Sequence, residues 1–177
     1  MSFESSYIRS IRSHFLAYKT LGEKAMAQLE ESDLFYEPAP GSNSIAIIVR
    51  HLHGNMKSRF TNFITEDGEK PWRQREEEFQ SPAGYYPAGD WEAGWECLFQ
   101  AINSLEPGQL LHTITIRQEP HLVLDALNRQ LAHYASHVGQ IVYIAKMIKG
   151  EKWTSVSIPK GGSDQFNKEM DQKFKPH

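Results

Sequence analysis

The chain has 177 residues, 40% of them hydrophobic and 23% charged, an ordinary composition for one soluble globular domain with a buried core. A formal net charge of −3, with no Lys/Arg run, supplies no basic field and argues against nucleic acid or an anionic membrane surface as partner. A single cysteine, Cys97, excludes an internal disulfide and a thiolate-rich structural zinc site. Apolar runs such as 45–49 and 141–145 are far too short to cross a bilayer. The first residues lack the basic-then-apolar pattern of a secretory signal, so a cytoplasmic location is expected. Eight histidines are more than a chain of this length usually carries, and their placement has to be explained.

Tyr7 to Leu29 reads as a first helix, with Ile8, Ile11, Phe15, Leu16, Tyr18, Leu21 and Met26 on a broad apolar face. Pro38-Ala39-Pro40-Gly41 breaks it, and Ser44 caps a second helix running to about Ile64 with a strongly apolar start. Residues 71–89 are polar but hold Trp72, Phe79, Tyr85, Tyr86 and Pro87, which predicts a long ordered connection packed by its rings. Gly89-Asp90 caps a third helix carrying Trp91, Trp95, Leu98, Phe99 and Ile102, which ends at Glu106-Pro107-Gly108. Residues 112–117 alternate with period two and are β-branched, the pattern of a short strand, and Gln118-Glu119-Pro120 turns it into a fourth helix, His121 to Lys149. The expected architecture is all-α: an up-down four-helix bundle with a long crossover connection, plus a short β-strand or hairpin before the last helix. Residues 1–153 form the bundle in this reading, and 154–177 form a polar C-terminal tail.

The fourth helix carries His133 and His137. Four residues apart in a helix, two imidazoles lie about 40° apart around the axis and one turn apart along it, so both can reach one ion. Leu122, Ala126, Ile141, Ile144 and Ile148 bracket them on the same face, leaving a polar middle of two histidines with Gln130 and Gln140. Burying two unpartnered imidazoles costs roughly 1–3 kcal/mol each. A shared metal removes that cost, and hydrogen bonds to backbone or water would do the same, so a polar core remains the competing reading. The second helix offers a third donor. His51 and His53 diverge by about 200°, so only one can point into the site. His51 continues the core row of Ser44, Ile47, Ile48 and Asn55 and is the chosen ligand; His53 falls on a flank, and Asn55 is placed to orient a ligand or a water.

What is missing narrows the chemistry. The second helix has no carboxylate and the fourth only Asp125, which argues against a di-iron carboxylate site, and no His-Glu-x-x-His supplies a zincin base. Three histidines without thiolate or carboxylate leave a coordination position for water or substrate, as in a catalytic zinc site. Zinc or nickel is the expected divalent ion. Cys97 reads as core packing, Arg59 as part of a solvated face, and His112 and His121 as exposed or capping; His14 and His177 receive no role. No residue stands out as a general base, so the catalytic residues are unknown.

Asn43-Ser44-Ile45-Ala46 leading to His51-Leu52, together with His133-x-x-x-His137-Val138-Gly139-Gln140-Ile141, resembles the DinB/YfiT-like superfamily. The resemblance runs from the first helix to Gly150. It implies a four-helix bundle, often a homodimer, with one metal ion held by a histidine of the second helix and a His-x-x-x-His pair of the fourth, here His51, His133 and His137. The superfamily includes bacillithiol S-transferases and a mycothiol-dependent maleylpyruvate isomerase, which implies a small-molecule substrate and activation of a low-molecular-weight thiol by the metal. The alternatives are a metal-hydroxide hydrolase and a metal-binding, stress-related protein without turnover.

Overall fold

The computed structural model describes residues 2–80, 85 and 87–175. Tyr86 and His177 lie outside them. The described chain is mostly helical, with one small hairpin: α1 is Phe3–Met26, α2 Ile45–Phe60, α3 Pro87–Asn103, β1 Thr113–Ile116, β2 Glu119–Leu122, α4 Val123–Lys149 and α5 Ser163–Phe174. Helix α1 packs along α4 and α2 along α3, with further contacts between α2 and α4 and between α1 and α3, an arrangement compatible with a four-helix bundle. Ser2 caps α1, its hydroxyl accepting from the Ser5 amide, and Ser44 caps α2 by accepting from the Ile47 amide.

Helix α2 is buried over most of its length, because α3, α4 and the short 3₁₀ turn Arg75–Phe79 all pack on it. Phe15 of α1, Trp95 of α3 and Tyr134 of α4 meet with ring centroids 5.9–6.5 Å apart, and all three are fully buried. Tyr134 also donates its hydroxyl to Asn55 Oδ1 of α2 at 2.9 Å, tying together the two helices that carry the candidate ligands.

Three features differ from the sequence reading. The strand or hairpin expected before the last helix is a hairpin, β1 and β2 pairing antiparallel from Thr113↔Leu122 to Ile116↔Glu119, so the last helix begins at Val123 and not at His121. Pro120 is tolerated because a two-stranded hairpin is all edge. Arg117 and Gln118 form the turn with φ of 57° and 65°, the left-handed backbone of a two-residue hairpin loop. Neither is glycine; the Asp67 carboxylate, about fifty residues away in sequence, accepts from both their amides at 2.9 and 2.8 Å. Arg59 is not on a solvated face: it is buried, donating to the Gly68 carbonyl and to Glu69. Within 154–177, Thr154 is bonded through both backbone groups to the Gln28 side chain, and α5 forms with no buried residue, Phe166, Met170 and Phe174 recurring every four positions.

Candidate metal centre

His51, His133 and His137 come together, their ligand atoms within 4.8 Å of one another. Helix α4 supplies two rings one turn apart, with centroids 4.6 Å apart, and α2 supplies the third, 5.4 Å from His133 and 4.9 Å from His137. His51 is buried, and His133 and His137 are half-buried.

Hydrogen bonds decide which nitrogen each ring offers. His51 donates its Nδ1–H to Glu78 Oε2 at 2.9 Å, since a carboxylate only accepts, and this turns the Nε2 lone pair toward the cluster. His137 likewise has Nδ1 occupied, 3.0 Å from Gln140 Oε1, which again leaves Nε2. His51 Nε2 and His133 Nε2 lie 3.3 Å apart. A tetrahedral zinc with Zn–N bonds of roughly 2.0–2.1 Å sets its nitrogens about 3.3–3.4 Å apart, so this edge already has the length an ion requires. All-imidazole donors suit zinc, nickel and similar ions.

The surroundings favour the neutral form of the two α4 donors. Burial, and then the nearby His137, His51, Arg73 and Arg59, push His133 down to about 3, so its ring is unprotonated at neutral pH. Burial also lowers His137, against the opposing hydrogen bond that its ring donates to Gln140 Oε1. Glu78 keeps its charge: burial works against it, but the bonds from Arg73 and then His51 hold the carboxyl below the usual range.

Of the two histidines on α2, His51 faces the cluster. His53 Nδ1 lies 3.3 Å from Asp90 Oδ2 of α3 instead, and Tyr85 donates to the same carboxylate at 2.8 Å. The amide oxygen of Asn55 accepts from the Tyr134 hydroxyl. Gln140 contacts the cluster, whereas Gln130 is buried with its Oε1 unpartnered. Cys97 packs at the core margin, its sulfur 3.8 Å from Thr61 Oγ1, while His112 and His14 are exposed and His121 pairs with Glu119.

Sequence reasoning missed Arg73 and Glu78. Arg73 donates Nε to Glu78 Oε1 at 2.8 Å and Nη2 to Glu78 Oε2 at 2.9 Å, a bidentate pair buried on both sides. Both residues lie in the polar stretch before α3, which has no periodicity to mark an inward-facing side chain; a charged pair five residues apart was the available signal.

The model of one family matches residues 2–162. The chain belongs to that family, DUF1572. Its description is a protein of unknown function, and no curated protein and no solved structure matches the chain. The DUF1572 match includes every residue of the centre and stops just short of α5. No described helix is long and apolar enough to cross a membrane.

Proposed function

We propose that the chain is a DinB-like metal protein of four-helix-bundle type in which His51, His133 and His137 hold one divalent ion, zinc or nickel, and that it transfers a low-molecular-weight thiol to an electrophile. The observation that carries the metal reading is the convergence of three imidazoles with Nδ1 of His51 and of His137 engaged elsewhere and two Nε2 atoms already at ligand spacing. When bound, such an ion lowers the pKa of a thiol or water in its remaining position.

Thiol transfer is favoured over hydrolysis by the state of Glu78. Both its oxygens are engaged by Arg73 and one also by His51, so this carboxylate is not free to take a proton. A thiol, with a pKa of about 8.5, needs far less help to ionise than water does. In the transfer, sulfur bonds to the electrophilic carbon, the thiol proton passes to solvent, and the leaving group departs with its bonding pair. The three rings hold the nucleophile's ion in place, and Gln140 fixes the ring of His137.

Metal analysis and zinc and nickel titrations of the wild type beside His51→Ala and His53→Ala test the site. Stoichiometric binding lost in His51→Ala and kept in His53→Ala is expected; the reverse pattern would sink the ligand assignment. Conjugation of monochlorobimane is then measured with a panel of small thiols. It should require both thiol and metal and vanish in His137→Ala. Ester turnover without thiol would replace this reading with hydrolysis, and no turnover of either kind would leave a binding protein.

A further inference from the structure

Glu78 reaches the centre by a route the helices alone do not provide. The 3₁₀ turn Arg75–Phe79 lies against α2, and Phe79 places its ring 5.0 Å from that of His51, tilted by 31°, with the Arg75 guanidinium 5.1 Å from the same ring's centroid. This seats Glu78 over Gly54, one turn along α2 from His51. A methyl group at Gly54 would lie 2.7 Å from the Glu78 carboxyl carbon and closer still to Oε1, so only glycine leaves room for the carboxylate there. Arg73, whose side chain is 2% exposed, grips the carboxylate through two nitrogens from the far side. The third guanidinium nitrogen, Nη1, is buried with no hydrogen-bond partner, its nearest acidic neighbour being Glu69 at 4.0 Å. A buried pair bound this tightly keeps the carboxylate in one orientation, with Oε2 toward His51 Nδ1.

Two other roles fail on geometry. Glu78 is not a ligand, because it bonds the Nδ1 edge of a ring whose Nε2 faces His133, so the imidazole stands between the carboxylate and the cluster. It is not a base either, since both oxygens are held by a permanently charged guanidinium. What remains is control of the His51 ring. A neutral imidazole has two tautomers, and only the Nδ1–H form offers Nε2 to an ion on the α4 side.

We propose that Glu78 is a positioning residue: gripped by Arg73 and seated over Gly54, it locks His51 in the Nδ1–H tautomer with Nε2 aimed between His133 and His137. This rests on the metal reading only for its consequence, because the tautomer is a property of the metal-free protein. Partners that orient a ligating histidine are typically worth about 10–100-fold in metal affinity.

The experiment reads the imidazole nitrogens of His51 by long-range ¹H–¹⁵N NMR on metal-free wild type, Glu78→Ala and Gly54→Ala, with zinc affinities measured in parallel. Gly54→Ala keeps both charges and displaces the carboxylate by steric contact, so it guards against Glu78→Ala failing to fold. Wild-type His51 should show the Nδ1–H pattern, and both variants should lose it and bind zinc about 10–100-fold more weakly. Glu69→Ala, which removes Arg73's other neighbour without touching His51, should lower the melting temperature while leaving tautomer and affinity in place. An unchanged tautomer in folded Glu78→Ala and Gly54→Ala would overturn the proposal. So would an affinity loss in Glu69→Ala equal to theirs, since that marks general loosening. A wild type that binds no zinc would instead defeat the metal reading, and the NMR pattern would still decide the role of Glu78.

Discussion

Proton release is the sharpest test of the centre's electrostatics. Binding a metal to three ordinary histidines at pH 5 should expel nearly three protons, because an imidazole of pKa about 6.5 is about 97% protonated there. His133, pushed down to about 3 by burial and by its cationic and imidazole neighbours, is protonated only about 1% of the time at that pH and has none to give. The release at pH 5 should therefore not exceed two, with the lowered His137 reducing it further. Between pH 6.5 and 5 the site should also keep up to about 16-fold of the affinity that an ordinary third histidine would forfeit, an upper limit because the ring is partly exposed and screened. Calorimetric titration with zinc in buffers of different ionisation enthalpy gives the proton number from the slope of observed heat against buffer enthalpy. A slope of three at pH 5 would refute the desolvated, neutral His133. The same shift sets a sign for stability. Between about pH 3 and 6.5 the unfolded chain takes up a proton that native His133 refuses, so the metal-free protein should lose stability as pH falls through that window.

Two substitutions probe the scaffold. Tyr134→Phe leaves the buried Asn55 Oδ1 without its donor, which should cost about 1–3 kcal/mol and roughly 2–10 °C in Tm by calorimetry; a melting point within 1 °C of wild type would show the bond is not needed. Gly22→Ala would set a methyl 2.6 Å from the Trp91 ring, and this buried indole is braced by Trp95 and cannot swing aside. Overpacking of about 1–3 kcal/mol should outweigh the roughly 1 kcal/mol that alanine gains over glycine in a helix, so urea titration should show a net loss; a more stable variant would refute the contact.

The parts legible in the sequence are those encoded locally. Periodicity marks α1 to α4, and helical spacing alone puts His133 and His137 on one face and separates His51 from His53. The missed parts depend on partners distant in sequence. A hairpin is among the forms expected before the last helix, but its turn residues are not, since Arg117-Gln118 carries no glycine and the carboxylate that bridges both amides is Asp67. Arg59 reads as a surface charge until the Gly68 carbonyl and Glu69 are brought to it. Arg73 and Glu78 lie in a stretch without apolar rhythm, and their inward orientation comes from a notch at Gly54 on another element. A glycine in the middle of a strongly apolar helix was the one local hint of that notch, since glycine there weakens a helix unless something approaches closely.

The centre joins a rigid half to an adjustable one. The spacing of His133 and His137 is set by the hydrogen-bonded turn between them and needs no tertiary contact to hold it. His51 has no such guarantee: its place depends on how α2 lies against α4, and its donor atom depends on how its ring is turned. Two bonds act on these two freedoms separately. Tyr134 to Asn55 fixes the relation of the helices, joining the residue after His133 to the residue one turn beyond His51. Glu78 to Nδ1 fixes the ring. Both bonds lie on the outer side of the cluster, one at the Nδ1 edge of His51 and the other between Tyr134 and Asn55, so neither enters the space among the three rings. Two buried polar contacts thus act on the one histidine of the cluster that helix geometry does not already place.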